Sequence, residues 1–154
     1  MNLVMIINML VDSHCHLDLI KSTNPEFIIK TARDNGVGYI LNVGLELDHI
    51  PVLLDIANRF ENVSTSIGIH PNNTDKIIVD VATLTTAADD PNVVAIGETG
   101  LDYFRLSGDA TQQQQQFRVH IKASKEINKP LIIHSREAAE DTIRILREEQ
   151  ANEG

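Results

Sequence analysis

Tryptophan is absent from this 154-residue chain, aromatic residues together make up 4% of it, and cysteine occurs once, as Cys15. A lone cysteine forms no internal disulfide, which removes the disulfide-stapled secreted scaffolds and points to a reducing compartment, the cytoplasm being the simplest. Positive charge is scarce too: 13 Lys and Arg stand against 22 Asp and Glu, giving a formal net charge of -9 and a pI of about 5.0. That balance excludes the broad basic footprint that coats duplex DNA, so a nucleic acid partner has to be held by something more local than bulk charge. No apolar run approaches the ~20 residues that a membrane helix needs. Residues 1–11 are mostly apolar, but no basic region leads them and no small-residue cleavage site follows, so they do not read as a signal peptide. Methionines at Met1, Met5 and Met9 make Met9 a candidate start, since the first clear element begins just after it.

Hydrophobic residues at 42% and charged residues at 23% suit a chain that buries a core. The length fits one compact domain, 1–154, and not two of ordinary size. Five short apolar runs, largely β-branched, read as buried strands: 10–11, 39–43, 65–69, 93–97 and 131–133. Segments of helical spacing separate them. Asn24 and Pro25 open the first with a cap and a first-turn proline, and Gly36 closes it. The second covers 48–60, with Ile50, Leu53, Leu54, Ala57 and Phe60 on one face. The third covers 81–88 and stops before Pro91. The fourth covers 111–128, with Phe117, Ile121 and 124–127 inward and Pro130 beyond its end. The fifth starts near Glu137 and carries Ile143, Leu146 and Arg147 in its later turns. The glutamine run 112–116 reads as a solvated helix face. Strand and helix alternating five times predict right-handed crossovers and an α/β fold, with parallel strands in the order 1-2-3-4-5 and helices outside.

Chemistry concentrates where strands end. In Asp12-Ser13-His14-Cys15-His16, strand geometry sends His14 and His16 to one side and Cys15 to the other, and two converging imidazoles begin a transition-metal site. The same spacing also occurs in surface histidines at a loop. Cys15 reads as a small packed residue. Glu98, in Gly97-Glu98-Thr99-Gly100-Leu101-Asp102-Tyr103, follows the fourth run, where α/β proteins place catalytic groups; alone it serves equally as a helix cap or ion-pair partner. His134, before Ser135 and Arg136, and His70, in Gly68-Ile69-His70-Pro71, hold the same position after the fifth and third runs. Parallel strand ends converge, so His14, His16, Glu98 and His134 are expected around one metal site. His49 and His120 sit in helical segments and are assigned to surface or packing. Arg136 suits the grip of a single phosphate, with pairing to Glu137 or Glu140 the alternative.

These four motifs, 10–18, 68–71, 97–103 and 130–136, closely resemble, in order, those of the TatD family of metal-dependent deoxyribonucleases. The resemblance implies a TIM-barrel-type (β/α)₈ fold of which five of eight units are present, an incomplete barrel. It implies phosphodiester hydrolysis in DNA, as an exonuclease on single-stranded or 3′-end substrate, by a protein that is monomeric at full length. It further implies two divalent ions (Mg, Mn or Zn) on His14, His16, Glu98 and His134, with Glu98 as the bridging catalytic carboxylate and His70 and Arg136 touching substrate. A related hydrolase of C–N or ester bonds is the competing enzyme, although such enzymes more often carry a bridging lysine where this chain has Glu98. A truncated, catalytically weak fragment is the other alternative. A full barrel needs about 250 residues. The family pattern continues with a His-Cys-Phe and a Thr-Asp-Ser-Pro motif, and neither occurs in these 154 residues. Residues 150–154 resemble the lead into a sixth strand. Without the later aspartate and histidine, the chain by itself is expected to be a poor nuclease, prone to self-associate through uncovered strand edges.

Overall fold

The computed structural model describes residues 9–21, 23–74, 78–106 and 108–151. The readings of residues 1–8 as a stretch preceding a start at Met9, and of 152–154 as a lead into a further strand, lie outside the described residues.

Each apolar run forms a strand and each helical pattern a helix: β1 (Leu10–Cys15), α1 (Pro25–Asp34), β2 (Val37–Asn42), α2 (Ile50–Arg59), β3 (Val63–Ile67), α3 (Val81–Ala87), β4 (Val93–Asp102), α4 (Thr111–Ile127), β5 (Leu131–Arg136) and α5 (Ala139–Glu148). The strands form one parallel sheet in the order β1-β2-β3-β4-β5, curled as part of a barrel. Sequential order follows when every crossover has the same hand and carries its helix to the same side. Local signals set the boundaries. The Asn24 side chain accepts from the Glu26 backbone N–H with Pro25 at the first turn, Asp80 Oδ1 accepts from the Thr83 N–H, and α4 ends on Asn128 in the left-handed region.

The core lies between sheet and helices. Ile40 and Val63 pack with Ile29 and Ile56 behind β2 and β3. Ile67, Val93 and Ile96 pack with Leu84 and Ala123 further along. Leu101, Phe117, Ile121 and Ile145 close the β4–β5 end. Small and polar groups occupy alternate positions on β3, where Ser66 Oγ donates to the Gly97 carbonyl (2.7 Å) and accepts from the Gly44 N–H (3.2 Å).

Several sequence expectations need correction. The glutamine run is not a solvated face. Gln113 and Gln116 are buried, and their amides satisfy backbone groups of Asp102 and Val79 respectively, polar contacts that hydropathy does not register. Within 124–127, Ser124 is buried while Lys125 and Glu126 are exposed. A one-turn 3₁₀ segment, Leu47–His49, precedes α2, and α5 starts at Ala139, two residues later than expected. β4 and β5 run past their apolar runs into the polar motifs, because ladder hydrogen bonds continue there between Thr99 and Ile133, Gly100 and His134, and Asp102 and Arg136. Among the described residues, β1 pairs only with β2 and β5 only with β4, and Leu10 and Val11 are 63% and 60% exposed.

His120, assigned to surface or packing, is fully buried. Its Nδ1–H donates to the Gln116 carbonyl (2.7 Å) and its Nε2 accepts the Ile69 N–H (3.0 Å), so the neutral ring is satisfied at both nitrogens. Burial pushes its pKa down to about 4, from 6.5. The unfolded chain therefore binds the extra proton between those values; the contribution to stability is complete above about pH 6.5 and is lost as pH falls towards 4. Urea unfolding at pH 7 and pH 4.5 is expected to show an acid loss in the parent on the order of a few kcal/mol larger than in His120→Gln. Equal losses in both would mean that His120 takes up its proton without unfolding the chain.

Candidate metal centre

The β1 strand ends at Cys15, and the backbone then turns away under control of β2. Val43 N–H donates to the Cys15 carbonyl (2.8 Å), and Asn42 Oδ1 accepts the Leu17 N–H (2.8 Å). Between these anchors, His16 Nδ1 lies 2.8 Å from the Val43 carbonyl. A carbonyl only accepts, so Nδ1 carries the ring proton and the Nε2 lone pair is free. Cys15 points the other way, half-buried against Leu41.

Glu98 enters from β4 and is 7% exposed. Its N–H donates to the Gly44 carbonyl (2.8 Å). The flanking Gly97 and Gly100 have φ of +131° and +133°, values that side-chain-bearing residues rarely adopt. A Cβ on Gly97 would meet the Ile132 carbonyl at 2.5 Å, and one on Gly100 would run into the His134 carbonyl. Glycine on both sides thus lets β5 approach closely enough to bring His134 beside Glu98.

The two carboxylate oxygens face different partners: Oε2 lies 3.2 Å from His14 Nε2, and Oε1 lies 3.1 Å from His134 Nδ1. Two groups of candidate ligand atoms share this side chain, His14 with His16 and Glu98, and His70 with Glu98 and His134, each within 4.8 Å of one another. Ligand atoms bound ~2.1 Å from one cation stand about 3.0–3.4 Å apart, and Glu98 stands at such distances from His14 (3.2 Å) and His134 (3.1 Å), so these pairs fit a divalent ion in both chemistry and spacing. The structure thus brings together His14, His16, Glu98, His134 and His70. His70 differs in kind from the others. Its Nδ1 accepts the Asn72 N–H (3.2 Å), which puts the ring proton on Nε2 and presents a donor, 3.2 Å from His134 Nδ1. Burial, then the neighbouring His134, lowers its pKa and keeps it neutral.

Arg136 pairs with neither Glu137 nor Glu140 among the described contacts; its guanidinium lies 3.8 Å from the centroid of the Phe104 ring. The local sequence favoured a charge partner, whereas the partner is an aromatic face supplied by the loop after β4. His49 Nδ1 sits 2.8 Å from Asp18 Oδ2. Two further residues at the site escaped sequence reasoning. Asp102, 1% exposed, has Oδ2 3.1 Å from His134 Nε2, and Asn72 Nδ2 donates to that same oxygen (3.0 Å). The signal for Asp102 was its spacing, four residues after Glu98 and so on the same face of a strand.

The family model for TatD-related DNases matches residues 11–154. The uncharacterized metal-dependent hydrolase YcfH of Escherichia coli K12 is 40% identical over 150 residues, covering 94% of this chain and 56% of the relative. A protein of Erwinia tasmaniensis named 3′-5′ ssDNA/RNA exonuclease TatD is 34% identical over 122 residues, 78% of this chain and 47% of its own length. The crystal structure of the TatD homologue YjjV from Escherichia coli K12 superposes with a TM-score of 0.83 at 28% identity, covering 93% of this chain and 57% of that one. The chain spans about half the length of the curated relatives it matches.

Burial, and then the carboxylate of Asp12, push the Cys15 thiol up to about 12. At pH 8 only about one molecule in ten thousand holds a thiolate, the reactive form. The folded chain is expected to resist a thiol-specific disulfide reagent at that pH over the time in which the urea-unfolded chain reacts completely. Equal rates would place Cys15 in solvent.

Proposed function

Since the chain belongs to the TatD-related DNase family, we propose that its clustered histidines and Glu98 form the metal-binding half of a phosphodiester hydrolase acting on single-stranded or 3′-end DNA. The observation that carries this reading is the division of one buried carboxylate between two groups of ligand atoms. A carboxylate so placed is suited to bridge two cations, and a bridged pair supplies the positive field and Lewis acidity that phosphodiester hydrolysis demands.

The chain's own residues have separable tasks in this reading. His14, His16 and Glu98 hold one cation, and Glu98 with His134 contributes to a second. The Val43 carbonyl keeps the His16 Nε2 lone pair directed at the site. His70, whose Nε2–H is a donor, contacts a substrate oxygen. Arg136 grips a phosphate, its guanidinium carbon 3.8 Å from the centroid of the Phe104 ring and its donors unpaired among the described residues. This local arrangement suits a protein of net charge -9, because it needs one phosphate held well and not a long basic track. The reading places the protein in the cytoplasm, on the strength of its lone cysteine. The exposed edges of β1 and β5 are expected to promote self-association of this chain in isolation.

With Mn²⁺ present, the purified chain is expected to release nucleotides slowly from end-labelled single-stranded DNA, and a chelator to stop it. Glu98→Gln is expected to lower the rate at least ~100-fold, because a bridging anion is removed while shape is kept. Release that a chelator leaves unchanged, or an undiminished rate in Glu98→Gln, would overturn the reading.

A further inference from the structure

We propose that Asp102 is a positioning residue that fixes the tautomer of His134 and so aims its Nδ1 lone pair at the cation site beside Glu98. The inference rests on the metal-centre reading above. Its basis is geometric. Asp102 Oδ2 stands 3.1 Å from His134 Nε2, while Nδ1 of the same ring stands 3.1 Å from Glu98 Oε1. A neutral imidazole has one proton to give; Asp102 and Glu98 compete for it, and the His70 Nε2–H, 3.2 Å from Nδ1, calls for an acceptor at that nitrogen. Asp102 is the more deeply buried of the two and is held rigidly. Its backbone N–H donates to Gln113 Oε1 (2.9 Å), and its Oδ1 accepts the Arg105 N–H (3.2 Å). Its two oxygens are ringed by donors, Asn72 Nδ2 and His134 Nε2 at Oδ2 and the Arg105 N–H at Oδ1. A carboxylate oxygen fixed against Nε2 accepts the proton's hydrogen bond there and leaves Nδ1 as a lone pair. A carboxylate behind a metal-binding histidine also raises the basicity of the ring.

Asn72 extends this control to the substrate side. Its Nδ2 donates to the oxygen of Asp102 that faces His134, and its backbone N–H donates to His70 Nδ1. One anchored carboxylate therefore sets which nitrogen of His134 carries the proton, and the residue that shares it sets which nitrogen of His70 does.

The test combines ring-nitrogen NMR of the metal-free chain, Mn²⁺ binding followed by electron paramagnetic resonance, and circular dichroism. The parent is expected to hold His134 as the Nε2–H tautomer with a strongly deshielded ring proton. In Asp102→Asn, the tautomers are expected to mix and Mn²⁺ affinity to fall about 10- to 100-fold, with the far-ultraviolet spectrum unchanged. His14→Ala, the control, is expected to lose Mn²⁺ affinity while His134 keeps its tautomer. A parent His134 protonated mainly on Nδ1 overturns the proposal, and so does an Asp102→Asn chain unaltered in both tautomer and affinity. If no form binds Mn²⁺, the metal-centre reading fails, and the tautomer of His134 still decides the role of Asp102. If Asp102→Asn does not fold, the parent's ring proton decides alone: Nε2–H supports the proposal and Nδ1–H ends it.

Discussion

A carboxylate removed from water has to be matched by positive charge or by hydrogen-bond donors, and Glu98 is where this chain meets that requirement. Its side chain is nearly buried, and the groups around it are ring nitrogens of His14 and His134, neither of which carries a permanent charge. Imidazole lone pairs and a carboxylate in one space favour a cation between them, since a cation relieves the buried anion and uses the lone pairs together. The approach of β5 at Gly97 and Gly100, the small residues on the inner side of β3, and the Gly44 carbonyl that receives the Glu98 N–H all serve to bring other groups up to that one side chain.

The crossovers make the convergence possible. A parallel sheet in sequential order sends every strand in the same direction, so residues that follow five separate apolar runs emerge at one rim. His14 and Glu98 are 84 positions apart in sequence and 3.2 Å apart in space. Burial divides between two layers. Ile, Val and Leu from the sheet meet the helices on the outside, while Ser66 and Gly97 on the inside link backbone groups below the site. The rigid outer layer holds the inner polar groups in register, which a loop-built site would achieve less well.

Much of this was legible in the sequence because it depends on periodicity. The β-branched runs at 39–43 and 93–97 and the capped start at Asn24 and Pro25 are local signals, and helical and strand periods differ enough to tell apart. His14, Glu98 and His134 were legible for the same reason, each lying just after a strand signal. What escaped depends on contacts across sequence. Gln113 and Gln116 look like surface residues until α4 is laid against the ends of β4 and the Val79 backbone, where their amides replace lost water. Arg136 has two glutamates nearby in sequence, yet it settles on Phe104 in the loop after β4. Asp102 sat within a motif already singled out for Glu98, and only the pairing of β4 with β5 brings it to His134.

The histidines of this chain show how little the side chain alone decides. His16 gives its Nδ1 proton to the Val43 carbonyl and keeps a lone pair for the site. His70 takes a proton from the Asn72 N–H at Nδ1 and keeps a donor. His120 does both at once, giving to Gln116 and taking from Ile69, and with no valence left over it is a strut of the core. In each case backbone groups, one for His16 and His70 and two for His120, select the tautomer, and the tautomer selects the chemistry. His134 is the exception, because its ring is flanked by side chains and not by backbone: Asp102 at Nε2, and Glu98 with the His70 Nε2–H at Nδ1. Glu98 lies between His14 and His134, and Asp102 is tethered behind His134 by α4, so in the proposed reading one acid faces the cation and the other holds the ring.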